Sequence, residues 1–110
     1  MKQEKSDPFM ALADPSRRYI LQLLTKDNLT INAIAENFDM SRPAVSKHVK
    51  ILCTAGFIAI EDIGRERYCK LNQAGFKDMQ TWIDHFDSFW ESKLNNLALM
   101  LKAHPKSRKS

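Results

Sequence analysis

Hydrophobic positions recur at spacings of three and four over most of the chain and alternate over one short tract. Asp7–Ala13 opens with Asp7 as a cap and Pro8 at the first helical position, followed by Phe9, Met10 and Leu12, and reads as a short helix. Asp14-Pro15 repeats that start signal and opens a helix over Pro15–Lys26 with Tyr19, Ile20, Leu23 and Leu24 as its apolar face. Asp27-Asn28 ends it. Thr30 caps a short helix, Ile31–Asn37, and Ser41 caps a longer one, Arg42–Ala55, that Gly56 stops. Pro43 lies in the first turn, where a missing N–H costs nothing. After Gly56 the period changes. Phe57–Ile63 has strand composition, Gly64-Arg65 reads as a turn, and Glu66–Leu71 alternates as a second strand, which makes a β-hairpin. Asn72 caps the last element, one long helix from Gln73 to about Ala103.

The Arg42–Ala55 helix is amphipathic when its residues are placed at about 100° apart. Ala44, Val45, His48, Val49, Ile51, Leu52 and Ala55 fall on one half, and Arg42, Pro43, Ser46, Lys47, Lys50, Cys53 and Thr54 on the other. Ala35 and Val45 sit where the two helices must touch. No Asp or Glu occurs between Asp39 and Glu61. An acid-free, basic, hydroxyl-bearing face suits phosphates and base edges, because a carboxylate there would repel the nucleic-acid backbone. The shape is a helix-turn-helix with the second helix as reader. A hairpin directly after such a helix reads as a wing, with Arg65 near its tip and Arg67 just inside. The expected fold is mainly α with a small β-hairpin: a winged helix-turn-helix that dimerises through its terminal helices.

Length changes little in this picture: 110 residues make one domain by the usual size. A hydrophobic fraction of 44% supports one modest core, which a shared dimer core would supplement. The last helix carries Phe76, Met79, Trp82, Ile83, Phe86, Phe89, Trp90, Leu94, Leu97, Leu99, Met100 and Leu101. That stripe is wider than one small domain covers. Phe9 and Met10 of the first helix, with Trp82, Phe86, Phe89, Trp90, Leu94, Leu97 and Leu101, are the expected interface with a second copy. The net charge of +4, from 17 Lys+Arg against 13 Asp+Glu, favours polyanion partners mildly. Met1–Ser6 is expected to fray, and His104–Ser110 to form a disordered basic tail. The start has no apolar signal core and no run reaches membrane-spanning length, so a cytoplasmic protein with reduced thiols and no membrane insertion is expected.

LADPSRRYILQLL, then SRPAVSKHVKILCTAGFI, then GRERYCKL, resembles the ArsR family of small bacterial winged-helix repressors over about Pro8–Leu71. The resemblance implies a repressor or autorepressor that binds an inverted-repeat DNA operator as a homodimer. It implies that Arg42, Pro43, Ser46 and Lys47 lie in the major groove, after the Ser41 cap and with Lys50 on the same face, and that Arg65 and Arg67 lie in the wing. His48 matches a family position at the helix junction, so it is read as structural.

The family is best known for metal sensing, and there this sequence departs from it. The stretch where its thiolate site falls is INAIAENF, without Cys. In the last helix Asp84 and His85 are adjacent, and no distant His/Glu pair follows. Asp84, Asp87 and Glu91 share a face and are read as solvated, and Cys53 and Cys69 as separate thiols. The expectation is therefore no metal and no cofactor, closest to the metal-independent autorepressors. A metal- or thiol-sensing repressor, and a winged-helix module for protein contacts only, are the alternatives. No phosphate loop, nucleophile elbow or histidine partnership points to an enzyme. If a protein partner sequesters the repressor, no residue here identifies it.

Overall fold

The computed structural model describes residues 7–103, and its described residues fall into two compact units, 7–79 and 80–103. The readings of Met1–Ser6 and His104–Ser110 lie outside the described residues.

The first unit runs α1 (Pro8–Ala11), α2 (Pro15–Leu23), β1 (Leu29–Thr30), α3 (Ile31–Ala35), α4 (Arg42–Thr54), β2 (Ile58–Ile63) and β3 (Glu66–Leu71), and then enters α5 (Gln73–Asp84). Each expected cap is in place. Asp7 accepts from the Phe9 amide at 3.0 Å, Asp14 from Ser16 at 2.7 Å, Thr30 from Ala33 at 3.1 Å, Ser41 from Ala44 at 3.2 Å and Asn72 from Ala74 at 3.2 Å. These side chains satisfy amides that have no partner inside the helix. Burial pushes the Asp14 carboxyl up, but the amide hydrogen bonds from Ser16 and Arg17 outweigh it and hold the group below its ordinary value. α2 ends earlier than the pattern predicts. Thr25 and Lys26 donate to Gln22 and Leu23, both at 3.2 Å, and these tighter i→i−3 bonds unwind the last turn.

The sheet has three strands in the order β1-β3-β2, all antiparallel, one more than the hairpin expected from sequence. Leu29 and Thr30 pair with Cys69 and Tyr68, a strand too short to show a period. It ties the start of the helix-turn-helix to the wing. Gly64 has φ +64 and Arg65 does not share that sign, the arrangement of a type II′ turn.

Phe57, Ile20, Ile34, Leu52, Val45 and Cys69 are fully buried at the centre of this unit. Gly56, at φ +89, turns the chain from α4 into the sheet, and its carbonyl accepts from the Gly75 amide at 2.7 Å. The approach of α5 is close enough that a Cβ on Gly75 would lie 2.8 Å from the Phe57 ring. Four side chains depart from the faces expected of their helices. Ile51 is 37% exposed, whereas Cys53 packs against the core. In α2, Tyr19 is exposed and stacks edge-on with Phe38 at 5.5 Å, while Leu21 takes the buried place. Real helices rotate their buried face toward whichever neighbours they have, here the sheet as well as α3.

The long terminal helix is two helices. The second unit takes in the end of α5 and all of α6 (Asp87–Ala103). His85 donates to both Thr81 and Trp82 at 3.2 Å and Phe86 to Ile83 at 2.9 Å, so the ladder tightens and stops there. Asp87 then opens α6, where a negative charge suits the positive helix end. Neither Gly nor Pro marks this break, and the apolar spacing runs straight across it. Every residue from 80 to 101 is exposed, including Trp82, Phe86, Phe89, Leu97, Leu101, Trp90 at 57% and Leu94 at 61%. No helix of the described residues is long and apolar enough to cross a membrane.

Candidate nucleic-acid interface

α4 starts at the Ser41 cap and presents Arg42, Pro43, Lys47 and Lys50 to solvent, with Ser46 half-buried between them. Its opposite face, Val45, Val49 and Leu52, is fixed in the core. The wheel therefore gives the outer face correctly at these basic positions. Arg42 is not free-swinging: its Nε donates to Oδ1 of Asn32, the second residue of α3.

β2 and β3 carry the wing arginines. Arg67 Nε lies 3.0 Å from Asp62 Oδ1, its direct cross-strand neighbour, and Lys70 lies 3.6 Å from Glu61. Both pairs are exposed and add little to stability, but they fix where the cations stand. Arg65 has no ion-pair or hydrogen-bond partner among the described residues. One cleft of about 290 Å³ joins the two elements, lined by Thr30, Ile31, Asn32, Arg42, Arg65, Glu66 and Arg67. The first residue of α4 and both wing arginines thus face the same space, with Glu66 as the one acid among its lining residues. Lys47 and Lys50 stand outside it, on the exposed flank of the helix.

The Asp-Pro-Ser-Arg-Arg stretch has a structural explanation. Arg17 donates to the carbonyls of Ala11 at 2.6 Å and Met10 at 3.3 Å, and Arg18 to that of Leu12 at 2.7 Å, which closes the open end of α1. Arg17 Nη1 also lies 3.2 Å from Nδ1 of His48 on α4. An arginine offers only donors, so Nδ1 accepts. His48 is thereby part of the α1–α2–α4 junction, as expected from its side of the wheel. Phe9 and Met10 of α1 remain exposed.

Both thiols sit above their ordinary value. Burial pushes the Cys53 thiol up, and burial together with the nearby Cys53 pushes Cys69 up to about 11, against the opposing charge of Arg67. Among the described residues no group of three or more His, Cys, Asp or Glu converges as metal ligands would.

Sequence reasoning missed Asn32 and Asp62. Each is an ordinary polar residue in the pattern, and only the turn geometry and the strand register bring them against arginines.

A family model for bacterial regulatory proteins of the arsR family matches residues 14–59. The chain is 38% identical over 78 residues to the transcriptional repressor SdpR of Bacillus subtilis, an alignment covering 71% of this chain and 87% of that protein. The fold is similar to the crystal structure of an ArsR family transcriptional regulator, RHA00566, with a TM-score of 0.70 and 34% identity over 77% of this chain and 93% of that one. It is also similar to the solution structure of the homodimeric winged helix-turn-helix DNA-binding domain of Mb0332 from Mycobacterium bovis. There the TM-score is 0.58 and the identity 21%, over 82% of this chain and 81% of that one.

Proposed function

The chain belongs to the arsR family of bacterial regulatory proteins, and from that premise we propose that it is a cytoplasmic, sequence-specific transcriptional repressor that binds its operator as a homodimer. The observation that carries this reading is the convergence of Arg42 with Arg65 and Arg67 on one cleft. Arg42, at the groove-entering end of α4, pairs with O6 and N7 of a guanine. Ser41, Pro43 and Ser46 fit against the base edges beside it. Lys47 and Lys50, flexible point charges, take phosphates. The wing arginines hold the backbone or minor groove alongside.

The exposed apolar faces of α1 and α6 support assembly with a second copy, in the manner of the homodimeric Mycobacterium bovis domain. A two-fold pair presents its reading helices about one DNA turn, roughly 34 Å, apart, so the operator is an inverted repeat. The regulator works without metal: soft ions need thiolate or imidazole ligands converging in tetrahedral geometry, and the described residues supply no such group. The raised thiols of Cys53 and Cys69 count against a thiol switch.

Recovery of bound genomic fragments, followed by paired titrations of the recovered duplex and a scrambled one at fixed salt, tests the reading. Arg42→Ala narrows the ratio of the two affinities, and Lys50→Ala weakens both equally. Failure to enrich any sequence would leave the protein-contact module as the better account.

A further inference from the structure

The hydrogen bond between α3 and the first residue of α4 assigns a role to a residue outside the reading helix. We infer that Asn32 is a positioning residue for Arg42, one that fixes the reading arginine before DNA arrives and so sharpens guanine recognition. This rests on the assignment of Arg42 to base readout.

Arg42 has five N–H donors on a planar fork and no acceptor, so the atom facing it from Asn32 is the carbonyl oxygen. That bond uses Nε alone. Nη1 and Nη2 have no partner among the described residues, and they form the end-on pair of parallel donors that O6 and N7 of guanine accept. Both residues are exposed and both line the cleft that the wing arginines share. In that position the bond does little for the core. What it does is hold a long side chain in one orientation at its root while leaving its tip open. An unpinned arginine must be ordered on binding, at the cost typical of one rotamer-rich side chain, and it reaches phosphates as readily as bases. A pinned one has already lost that freedom and offers its fork at a fixed distance from the helix axis. Lysine at this position could not divide the work in this way, because its three donors share one nitrogen and leave no planar fork open once that nitrogen is held at Asn32.

Asn32→Ala is compatible with folding, since the residue is exposed and alanine favours a helix. The probe is a duplex recovered by selection from a random pool, compared with a scrambled duplex of equal length. Asn32→Ala is expected to lower the ratio of the two affinities by about two- to tenfold, the range of one side chain's ordering cost, with the affinity for scrambled DNA unchanged. The same substitution made on an Arg42→Ala background is expected to change nothing further. Asn32→Asp keeps the acceptor, so it preserves the ratio while its charge lowers both affinities. Replacing each guanine in turn with 7-deazaguanine removes one N7 acceptor at a time. One position should carry a penalty in the wild type, a smaller one in Asn32→Ala and none in Arg42→Ala. If Arg42→Ala narrows the ratio but Asn32→Ala does not, the positioning role is overturned and base readout stands. A ratio that Asn32→Ala still lowers without Arg42 also overturns it. If Arg42→Ala leaves the ratio intact, base readout itself fails and the role of Asn32 falls with it.

Discussion

Salt dependence separates the two wing arginines. Each phosphate contact contributes about 0.9 to the slope of log affinity against log salt. Raising salt fourfold, from about 50 to 200 mM, therefore costs roughly 3.5-fold in affinity per contact. Arg65 stands at the hairpin tip with no ion-pair partner among the described residues, so its full charge is open to a phosphate in the proposed complex. Arg67 is held by Asp62 at 3.0 Å and has to share its charge between that carboxylate and a phosphate. Arg65→Ala should reduce the slope by about 0.9, and Arg67→Ala by distinctly less. Asp62→Ala should act in the opposite direction. It frees Arg67 and removes a negative charge from the wing, so affinity rises for operator and random duplex alike and the slope steepens. Fluorescence anisotropy at four or five salt concentrations gives these slopes directly. A slope left unchanged by Arg65→Ala and Arg67→Ala combined would take the wing out of the interface, and a weaker complex from Asp62→Ala would refute the competition argument.

Four further outcomes follow from the structure. Gly75→Ala puts a methyl group 2.8 Å from the Phe57 ring, and overpacking of this kind should lower unfolding stability by about 1–3 kcal/mol in a denaturant titration; an unaltered midpoint would mean that α5 can retreat without cost. Leu94→Asp or Leu97→Asp should convert a dimer to a folded monomer in light scattering, whereas a wild-type monomer at micromolar concentration would remove the proposed assembly altogether. Because the native fold keeps Cys69 protonated up to about 11, the unfolded chain gives up that proton first. The contribution is fully present below the ordinary thiol value and fades as pH rises from about 9 through 11, a decline that Cys69→Val should flatten in denaturation midpoints. A gel shift should respond alike to zinc and to a chelator, and release of DNA by micromolar zinc would revive metal sensing.

The parts of this fold that were legible in the sequence are those set by local chemistry. Caps at Asp7, Asp14, Thr30, Ser41 and Asn72 act over two or three residues, so a string of letters contains both partners. The outer face of α4 was legible for the same reason. Less local features were not. β1 is two residues long, and its existence depends on β3 passing alongside. Ile51 and Cys53 exchanged places because the buried face of α4 is set by its neighbours and not by an ideal wheel. The break at His85-Phe86 leaves the apolar spacing intact, so periodicity alone carries straight through it. Asn32 and Asp62 acquired meaning only through tertiary contacts.

Thr30 holds two posts at once, as the last residue of β1 and as the cap of α3. There is consequently no linker between the sheet that carries the wing and the helix pair that carries the reader. In mechanical terms the two proposed grips on DNA have no slack between them: a displacement of the hairpin is transmitted through the β1–β3 ladder to the first helix of the pair. In the proposed complex the distance from wing contact to base contact is set when the protein folds. The duplex has to supply the adjustment, and base steps that bend or twist at low energy gain an advantage at positions the protein never touches. Operator choice then becomes partly a matter of compliance, with this small scaffold acting as a rigid gauge against which the flexibility of the DNA is measured.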